Sequence, residues 1–219
     1  MAKMADLTQL VTALVSGPWL EIVARAWKLG KKLWRGWAEE GMYEVLEYEV
    51  TLELKDKQGK RAIHRKRERV RYLQDNIIAY QDQAWGDGDF LVNYRCTPGK
   101  EVDRYQSGYK TQILISLQET KEKGDTDEFR IEREIHNGHL NATEYAEIEI
   151  SHRTKQFAMQ VIFPKARPPH RPILKKRLRK EAVPLSQEHI RQLPDGRWLL
   201  WWSTTKPRLY EHYLLQWDW

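Results

Sequence analysis

The chain has 219 residues, of which 41% are hydrophobic and 31% charged, and it contains ten tryptophans and ten tyrosines. This composition is that of a folded protein and excludes an intrinsically disordered chain. The formal net charge of +6 is compatible with nucleic acid, an acidic protein or an anionic membrane as partner, and requires none of them. A single cysteine excludes an internal disulfide framework and is typical of a reducing, cytoplasmic compartment.

The first part of the chain is predicted to be a helical hairpin. Residues 6–15 carry apolar side chains at helical spacing, and Pro18 suits the first turn of a second helix over 18–38. This second helix holds too many charges to cross a membrane. The predicted organisation is therefore an amphipathic helical arm over 1–41, followed by a β-rich domain over 42–219.

The second helix has two contrasting faces. A tryptophan-containing apolar stripe lies opposite a lysine and arginine face, which is a strongly amphipathic arrangement. The stripe is predicted to pack on the β domain or on a second copy of the chain, to lie in the plane of a membrane, or to dock into a groove of a partner. The candidate contact residues are Trp19, Trp27, Trp34, Trp37, Lys28, Lys31, Lys32 and Arg35.

From Tyr43 onwards the hydrophobic period changes to two, which predicts a strand with an acidic outer face. Residues 61–73 are predicted to be its antiparallel partner, because arginines of this segment would lie opposite glutamates of the first strand. The expected inward positions of the first strand are Leu46, Tyr48, Val50, Leu52 and Leu54.

Short apolar segments separated by turn residues continue to residue 163, which is typical of a β-sandwich or barrel. The last two of these segments are expected to pair with each other. With the C-terminal segment they predict an antiparallel sandwich or incomplete barrel of about nine strands. The segments cover residues 76–80 (a short strand or the start of a loop), 90–95, 109–118, 129–135, 145–152 and 157–163.

Residues 164–194 contain six prolines and are strongly basic, so they are predicted to be a long connection without regular structure over most of its length. Together with the basic stretch 60–71, the stretch 165–180 is a candidate anion or nucleic-acid surface if the two lie side by side. The candidate residues are Arg65, Arg67, Arg69, Lys175, Lys176, Arg177 and Arg179.

Residues 197–219 hold five of the ten tryptophans in two apolar runs around a polar turn at 203–208. This pattern predicts a C-terminal β-hairpin that closes the β domain. Leu209, Tyr213, Leu215, Trp217 and Trp219 are expected on its buried face.

Catalytic chemistry is weakly indicated. The close histidines His136 and His139 fall in a predicted turn without a third ligand, and no metal site or cofactor is predicted. Asp103 followed by an apolar strand and Glu119-Thr120-Lys121 resembles the metal-dependent nuclease core of the PD-(D/E)xK kind. That resemblance implies two carboxylates that hold a divalent ion and a lysine that positions the attacking water.

The sequence therefore predicts a non-enzymatic binding module, a component of a multiprotein or signalling assembly whose partner is another protein or a second copy of the chain. The alternative is a nucleic-acid-binding protein that uses residues 60–71 and 165–180. Less favoured are a metal-dependent nuclease and a membrane-associated effector that senses a small nucleotide. The predicted location is cytoplasmic, with peripheral membrane contact through residues 18–38.

Overall fold

The computed structural model describes residues 41–219, and residues 1–40 of the helical arm predicted over 1–41 lie outside the described residues. The described residues are mainly β, as the alternating pattern predicts, with one short 3-10 helix at Gln187–His189. The strands are β1 (Tyr43–Leu54), β2 (Arg61–Tyr72), β3 (Ile77–Ala84), β4 (Asp89–Thr97), β5 (Lys100–Ser107), β6 (Lys110–Lys121), β7 (Thr126–His136), β8 (Thr143–Glu149), β9 (Thr154–Phe163), β10 (His170–Lys176), β11 (Glu181–Pro184), β12 (Ile190–Gln192), β13 (Trp198–Thr204) and β14 (His212–Asp218).

The strands form three sheets. A seven-stranded sheet has the order β12-β13-β9-β1-β2-β7-β4, a four-stranded sheet has the order β11-β10-β14-β8, and a three-stranded sheet has the order β3-β6-β5. Most neighbouring strands are antiparallel, but β1 and β9 are parallel. In residues 41–219, no helix has the length and apolarity that crossing a bilayer requires.

The predicted pairing of the first two strands is confirmed. Antiparallel pairing of β1 and β2 places Glu49 opposite Arg67 and Glu47 opposite Arg69. One detail of the prediction is wrong: Leu46 is only half-buried, whereas Val45 is fully buried. A β-bulge between Val45 and Glu47 shifts the alternation by one residue, so the inward phase changes within the strand.

The two smaller sheets pack against the same face of the seven-stranded sheet. Phe129 of β7 stacks on Tyr80 of the three-stranded sheet, with ring centroids 3.8 Å apart. Phe157 of β9 contacts Tyr213 of the four-stranded sheet, with ring centroids 5.4 Å apart. Phe129 and Phe157 both align with the β1–β2 pair Tyr48 and Glu68, so they share one inner face. The core lies between this face and the two smaller sheets.

The predicted C-terminal hairpin is wrong. Strand β13 pairs with β9 and β12 in the seven-stranded sheet, whereas β14 pairs with β10 and β8 in the four-stranded sheet. The turn therefore carries the chain from one layer to the other. The predicted buried face of the last strand comprises Leu209, Tyr213, Leu215, Trp217 and Trp219, and it is confirmed for Tyr213, Leu215 and Trp217, which are buried. Leu209 and Trp219 are only half-buried.

The predicted pairing of residues 145–152 with 157–163 is also wrong, because β8 pairs with β14 and β9 pairs with β1 and β13. A short link between two apolar segments suggests a hairpin, but each strand here completes a different layer.

The prediction of an irregular connection over 164–194 is wrong as well, since this segment contains β10, β11 and β12. The prolines sit where a sheet tolerates them. Pro172 lies at the register shift between His170 and Ile173, and Pro184 ends the edge strand β11. The polar strand β5 was not predicted either, and the described residues contain fourteen strands rather than about nine.

Candidate functional site

A polar patch interrupts the apolar inner face of the seven-stranded sheet. Strand β2 presents Lys66 and Glu68 on the same face as Val70, and β7 contributes Arg133 opposite His64. Lys66, Glu68 and Arg133 are 8%, 6% and 7% exposed. Burial of a charge is unfavourable unless the charge is paired. The partners of Lys66, Glu68 and Arg133 therefore show which of these charges is available to a ligand.

Lys66 is fully paired. Its Nζ lies 2.6 Å from Asp82 Oδ1 of β3 and 3.2 Å from Glu68 Oε1. Burial by itself lowers the pKa of Lys66, but the two carboxylates outweigh it and raise the pKa well above its ordinary value. The remaining carboxylate oxygens accept hydrogen bonds from Tyr80, at 2.5 Å from Glu68, and from Tyr94, at 2.9 Å from Asp82.

Arg133 has no such partner. Its Nη1 donates a hydrogen bond to the carbonyl oxygen of Phe90 at 2.5 Å. Among residues 41–219, no carboxylate is close enough to Arg133 to form an ion pair with it. Burial removes water from the guanidinium and lowers the pKa of Arg133 to about 10, and the attraction of Asp82 only partly offsets this effect. Arg133 is therefore a buried cation with a free binding capacity.

Arg133 lines a cavity of about 70 Å³ between the sheets. The floor is the inner face of the seven-stranded sheet, and one wall is β8, the edge strand of the four-stranded sheet. The loop after β3 supplies Trp85 and Asp87 at the rim. An adjoining space of about 20 Å³ shares Arg133, His64 and Trp85 with the cavity and extends towards Lys66.

Two histidines also line this cavity, the half-buried His64 and the buried His139. The Nδ1 of His64 and both ring nitrogens of His139 are buried without a hydrogen-bond partner among the described residues. Burial, followed by the charges of Arg133 and Lys66, lowers the pKa of His64 well below its ordinary value. His64 is therefore neutral at physiological pH. Of the two neighbouring side chains His64 and Arg133 on the cavity floor, only Arg133 carries a positive charge.

Glu144 lies beside His139 in the opposite wall. It accepts a hydrogen bond from the backbone N–H of Asn141 at 2.6 Å, and His139 Nδ1 is 3.7 Å from its Oε2. Burial raises the pKa of Glu144, but these contacts outweigh burial and lower it. A carboxylate thus lies across the cavity from Arg133.

A second charged cluster joins the two smaller sheets near the rim. His212 Nδ1 lies 2.7 Å from Glu147 Oε1, and Arg177 Nη2 lies 3.1 Å from Glu147 Oε2. Lys110 of β6 contacts Glu149 of β8. Lys110 also donates a hydrogen bond to Gln83 of β3 at 3.3 Å, so Lys110 connects the edges of β3 and β8, between which no backbone ladder forms in the described residues. The contacts of Glu147 lie within the four-stranded sheet and the turn after β10.

The arginines of the first predicted basic stretch form ion pairs with glutamates of the neighbouring strands β1 and β7. Arg67 pairs with Glu47, Glu49 and Glu128, at 2.7, 3.0 and 3.2 Å. Arg65 pairs with Glu53 and Glu132, both at 2.7 Å, and Arg69 pairs with Glu47 at 3.1 Å. These arginines point away from the inner face.

The second basic stretch lies at the end of β10 and in the turn that follows. Lys176 pairs with Glu181 and Arg177 with Glu147, both at 3.1 Å, whereas Arg179 is exposed and Lys175 is half-buried. Strand β10 belongs to the four-stranded sheet on the inner side, so the structure does not join the two stretches into one patch.

The residues of the nuclease resemblance are not brought together. Asp103 lies opposite Leu114, five residues along β6 from Glu119, a separation of about 17 Å at strand spacing. Lys121 pairs with Glu119 and, at 3.1 Å, with Asp127. In residues 41–219 no three His, Cys, Asp or Glu side chains are grouped so that they could hold a metal ion.

Cys96 resembles a structural thiol more than a nucleophile, because burial raises its pKa to about 12. The predicted contact residues of the helical arm, from Trp19 to Trp37, lie outside the described residues, so their roles stay predictions.

Comparisons with known proteins give little guidance. No family model matches this chain, and no curated protein matches it in sequence. The solved structures that match include the M1 zinc metallopeptidase from Deinococcus radiodurans, with 11% identity and a TM-score of 0.46. A mutant of that enzyme with a bound Tyr-Ser-Ala substrate has 9% identity and a TM-score of 0.49. Each match covers 79% of this chain and 42% of the other chain, so this chain spans less than half of those proteins.

Sequence reasoning missed Arg133, His64 and the Lys66 cluster, although a signal was present. The period of two that places Arg65 and Arg67 outwards also places His64, Lys66 and Glu68 inwards with Val70. A charged residue in the phase of the core is the sequence signature of a buried polar site.

Proposed function

We propose that this protein is a non-enzymatic binding module whose β unit takes a small anionic molecule in the cavity at Arg133. The observation that carries the proposal is the buried guanidinium, which faces the cavity without a carboxylate partner. An unpaired buried cation costs several kcal/mol, and an anion that enters the cavity recovers part of this cost. Such a group is pre-organised for binding.

The geometry of the sheets supports this proposal. We interpret the fold as a β-sandwich in which one layer is split into two sheets, and the split lies between the edges of β3 and β8. Both cavities lie at this split, since each is lined by Trp85 after β3 and by Ile148 of β8. Ligand pockets commonly occupy such openings between packed layers.

Binding is favoured over catalysis by the residues at hand. Cys96 is not activated, and Asp103 and Glu119 lie apart on neighbouring strands. The cavity offers a guanidinium, two imidazoles and carboxylates, which are sufficient to recognise a charged ligand.

The test compares Arg133→Met with Arg130→Gln in the full chain. Arg130 lies three residues earlier on β7, and its side chain is 75% exposed, so it controls for loss of a charge from the same strand. Thermal unfolding is followed with acetate, butyrate, benzoate, sulfate, phosphate and methyl phosphate. We expect at least one of these anions to stabilise the wild type and Arg130→Gln, and to have no effect on Arg133→Met.

The stability of Arg133→Met without added anion is a second test of the proposal. Replacing a buried, unpaired charge with an apolar side chain of similar length is expected to be neutral or stabilising, by up to about 4 kcal/mol. An unfolded Arg133→Met variant, or equal stabilisation of all three proteins by the same anions, would contradict the proposal. So would the absence of any response in the wild type.

The role of residues 18–38 as a docking or membrane-facing arm remains part of this proposal. It is tested by co-sedimentation of the full chain with anionic vesicles, compared with Trp27→Ala plus Trp34→Ala. Equal partitioning of the two proteins would remove the membrane-facing alternative.

A further inference from the structure

We infer that the cavity selects a monovalent carboxylate on a small, partly apolar body, in preference to a phosphate dianion. This inference rests on the proposed binding function and specifies its ligand class. It follows from three features of the site: the free edge of the guanidinium, the charges of the facing wall, and the size and apolarity of the floor.

The guanidinium has one edge available. Arg133 Nη1 is held by the carbonyl of Phe90, which fixes the plane of the group. Nε and Nη2 have no hydrogen-bond partner from the part of the chain that the structure describes. Two parallel N–H groups on one edge match the two oxygens of a carboxylate. The site is therefore built for a bidentate contact with a planar anion.

The facing wall opposes a second negative charge. Glu144 and Glu147 of β8 and Asp87 of the rim line the same cavity as Arg133. The other buried cation, Lys66, is already held by two carboxylates. Glu147 is already paired with Arg177 and His212, which leaves Glu144 and Asp87 as the carboxylates that oppose a second charge. One negative charge on the ligand is matched by Arg133, whereas a second would lie near these two carboxylates.

The floor is apolar and small. Val50, Leu52, Ile135 and Ile148 line the cavity beside the polar groups. A volume of about 70 Å³ corresponds to roughly five water-sized positions, at 10–15 Å³ for each. A carboxylate with a chain of two to four carbons fits this volume, and larger parts of a ligand would extend past Trp85 into solvent.

The experiment is titration calorimetry of the full chain at pH 8 with three compounds of similar size. Butyrate has one negative charge, butyramide has the same shape without the charge, and methyl phosphate has two charges at this pH. We expect the Kd of butyrate to be at least about 10-fold lower than the Kd of butyramide or of methyl phosphate. Arg133→Lys keeps the charge but removes the bidentate edge, and we expect it to weaken butyrate about 10-fold.

The outcomes separate this inference from the function on which it rests. Tighter binding of methyl phosphate than of butyrate at Arg133 would overturn the carboxylate inference and leave anion binding intact. Equal binding of butyrate and butyramide would show that the charge is not recognised, and would overturn the inference. If Arg130→Gln weakens butyrate as much as Arg133→Lys does, the anion binds elsewhere. Saturation by none of the anions would overturn both the inference and the proposed function.

Discussion

Single residues on the inner face of β2 decide whether the layers can pack. Lys66 is surrounded by Glu68 and Asp82, and Tyr80 and Tyr94 satisfy the other carboxylate oxygens. A buried ion group of this kind adds little net stability, but removal of one partner leaves an uncompensated charge. Arg133 has no carboxylate partner in residues 41–219, and we propose that an anion from outside the protein supplies one.

Lys66→Met is expected to destabilise the protein by about 3–5 kcal/mol, because two carboxylates remain buried without their cation. Urea unfolding followed by tryptophan fluorescence measures the change. Lys155→Met is the control, since the Lys155 side chain is 56% exposed and the expected change is within about 0.5 kcal/mol. Adding Glu68→Gln and Asp82→Asn to Lys66→Met should restore part of the loss. A change below about 1 kcal/mol in Lys66→Met would show that the cluster is solvated.

Gly59→Ala tests the close contact between the β1–β2 turn and His139. Gly59 has a φ of +72°, and a Cβ there would lie 1.6 Å from the carbonyl oxygen of His139. Gly124→Ala is a matched control with a φ of +98° and open space around its Cβ, so it carries only the backbone strain, about 1–3 kcal/mol. We expect Gly59→Ala to be clearly less stable than Gly124→Ala in thermal unfolding. Equal losses would mean that the turn moves freely away from His139.

At the scale of elements, most strands up to residue 163 were predictable one by one, but most of their pairings were not. The pairing of β1 with β2 follows from a short turn and complementary charges, and both are local in sequence. The parallel pairing of β1 with β9 joins segments about a hundred residues apart. Such a pairing is set by which apolar faces must be covered. The chain after β13 similarly crosses to another layer because β14 completes the four-stranded sheet.

Removal of residues 209–219 is expected to abolish cooperative unfolding of the domain. Strand β14 lies between β10 and β8, so its loss leaves β8 without a partner and β10 paired only with the short edge strand β11, and it removes the fully buried Trp217. The measurement is thermal unfolding by circular dichroism, with the full chain as reference. A fragment 1–208 that unfolds cooperatively would contradict this role of β14.

Point variants separate the burial of β14 from the loss of chain length. Trp217→Ala is expected to cost about 3–5 kcal/mol, because the side chain is fully buried against Phe163. Trp201→Ala should cost much less, since Trp201 is 37% exposed. Comparable losses in urea unfolding would show that β13 and β14 contribute equally to the core.

At the scale of the whole molecule, two half-buried histidines, His64 and His152, couple folding to pH. Burial lowers the pKa of His64 and of His152, and for His64 the charges of Arg133, Lys66 and His139 add to the effect. Between the lowered pKa of each histidine in the folded chain and about pH 6.5, the unfolded chain therefore binds protons that the folded chain does not. The stability that these groups contribute is complete above that pH and decreases as the pH falls below it.

Between pH 7 and 5 the free energy of unfolding is expected to fall with decreasing pH, by up to about 1.4 kcal/mol per pH unit for each histidine. His64→Gln should reduce this slope by the contribution of one histidine, up to about 1.4 kcal/mol per pH unit. His170→Gln replaces an exposed histidine and is the control substitution. Urea unfolding at a series of pH values provides the measurement, and an unchanged slope in His64→Gln would show that His64 is protonated in the folded protein.

The sequence by itself determined the β class, most of the strands up to residue 163, the β1–β2 ladder and the buried face of β14. These features depend on a period of two and on neighbouring charges, which are local properties of the chain. Only the tertiary structure decided that the C-terminal strands separate into two layers and that the connection 164–194 forms strands. It also decided which of two similar arginines is paired: Arg67 meets three glutamates, whereas Arg133 faces a cavity. The physical reason is that burial and pairing depend on which distant strands meet, and no local pattern specifies that.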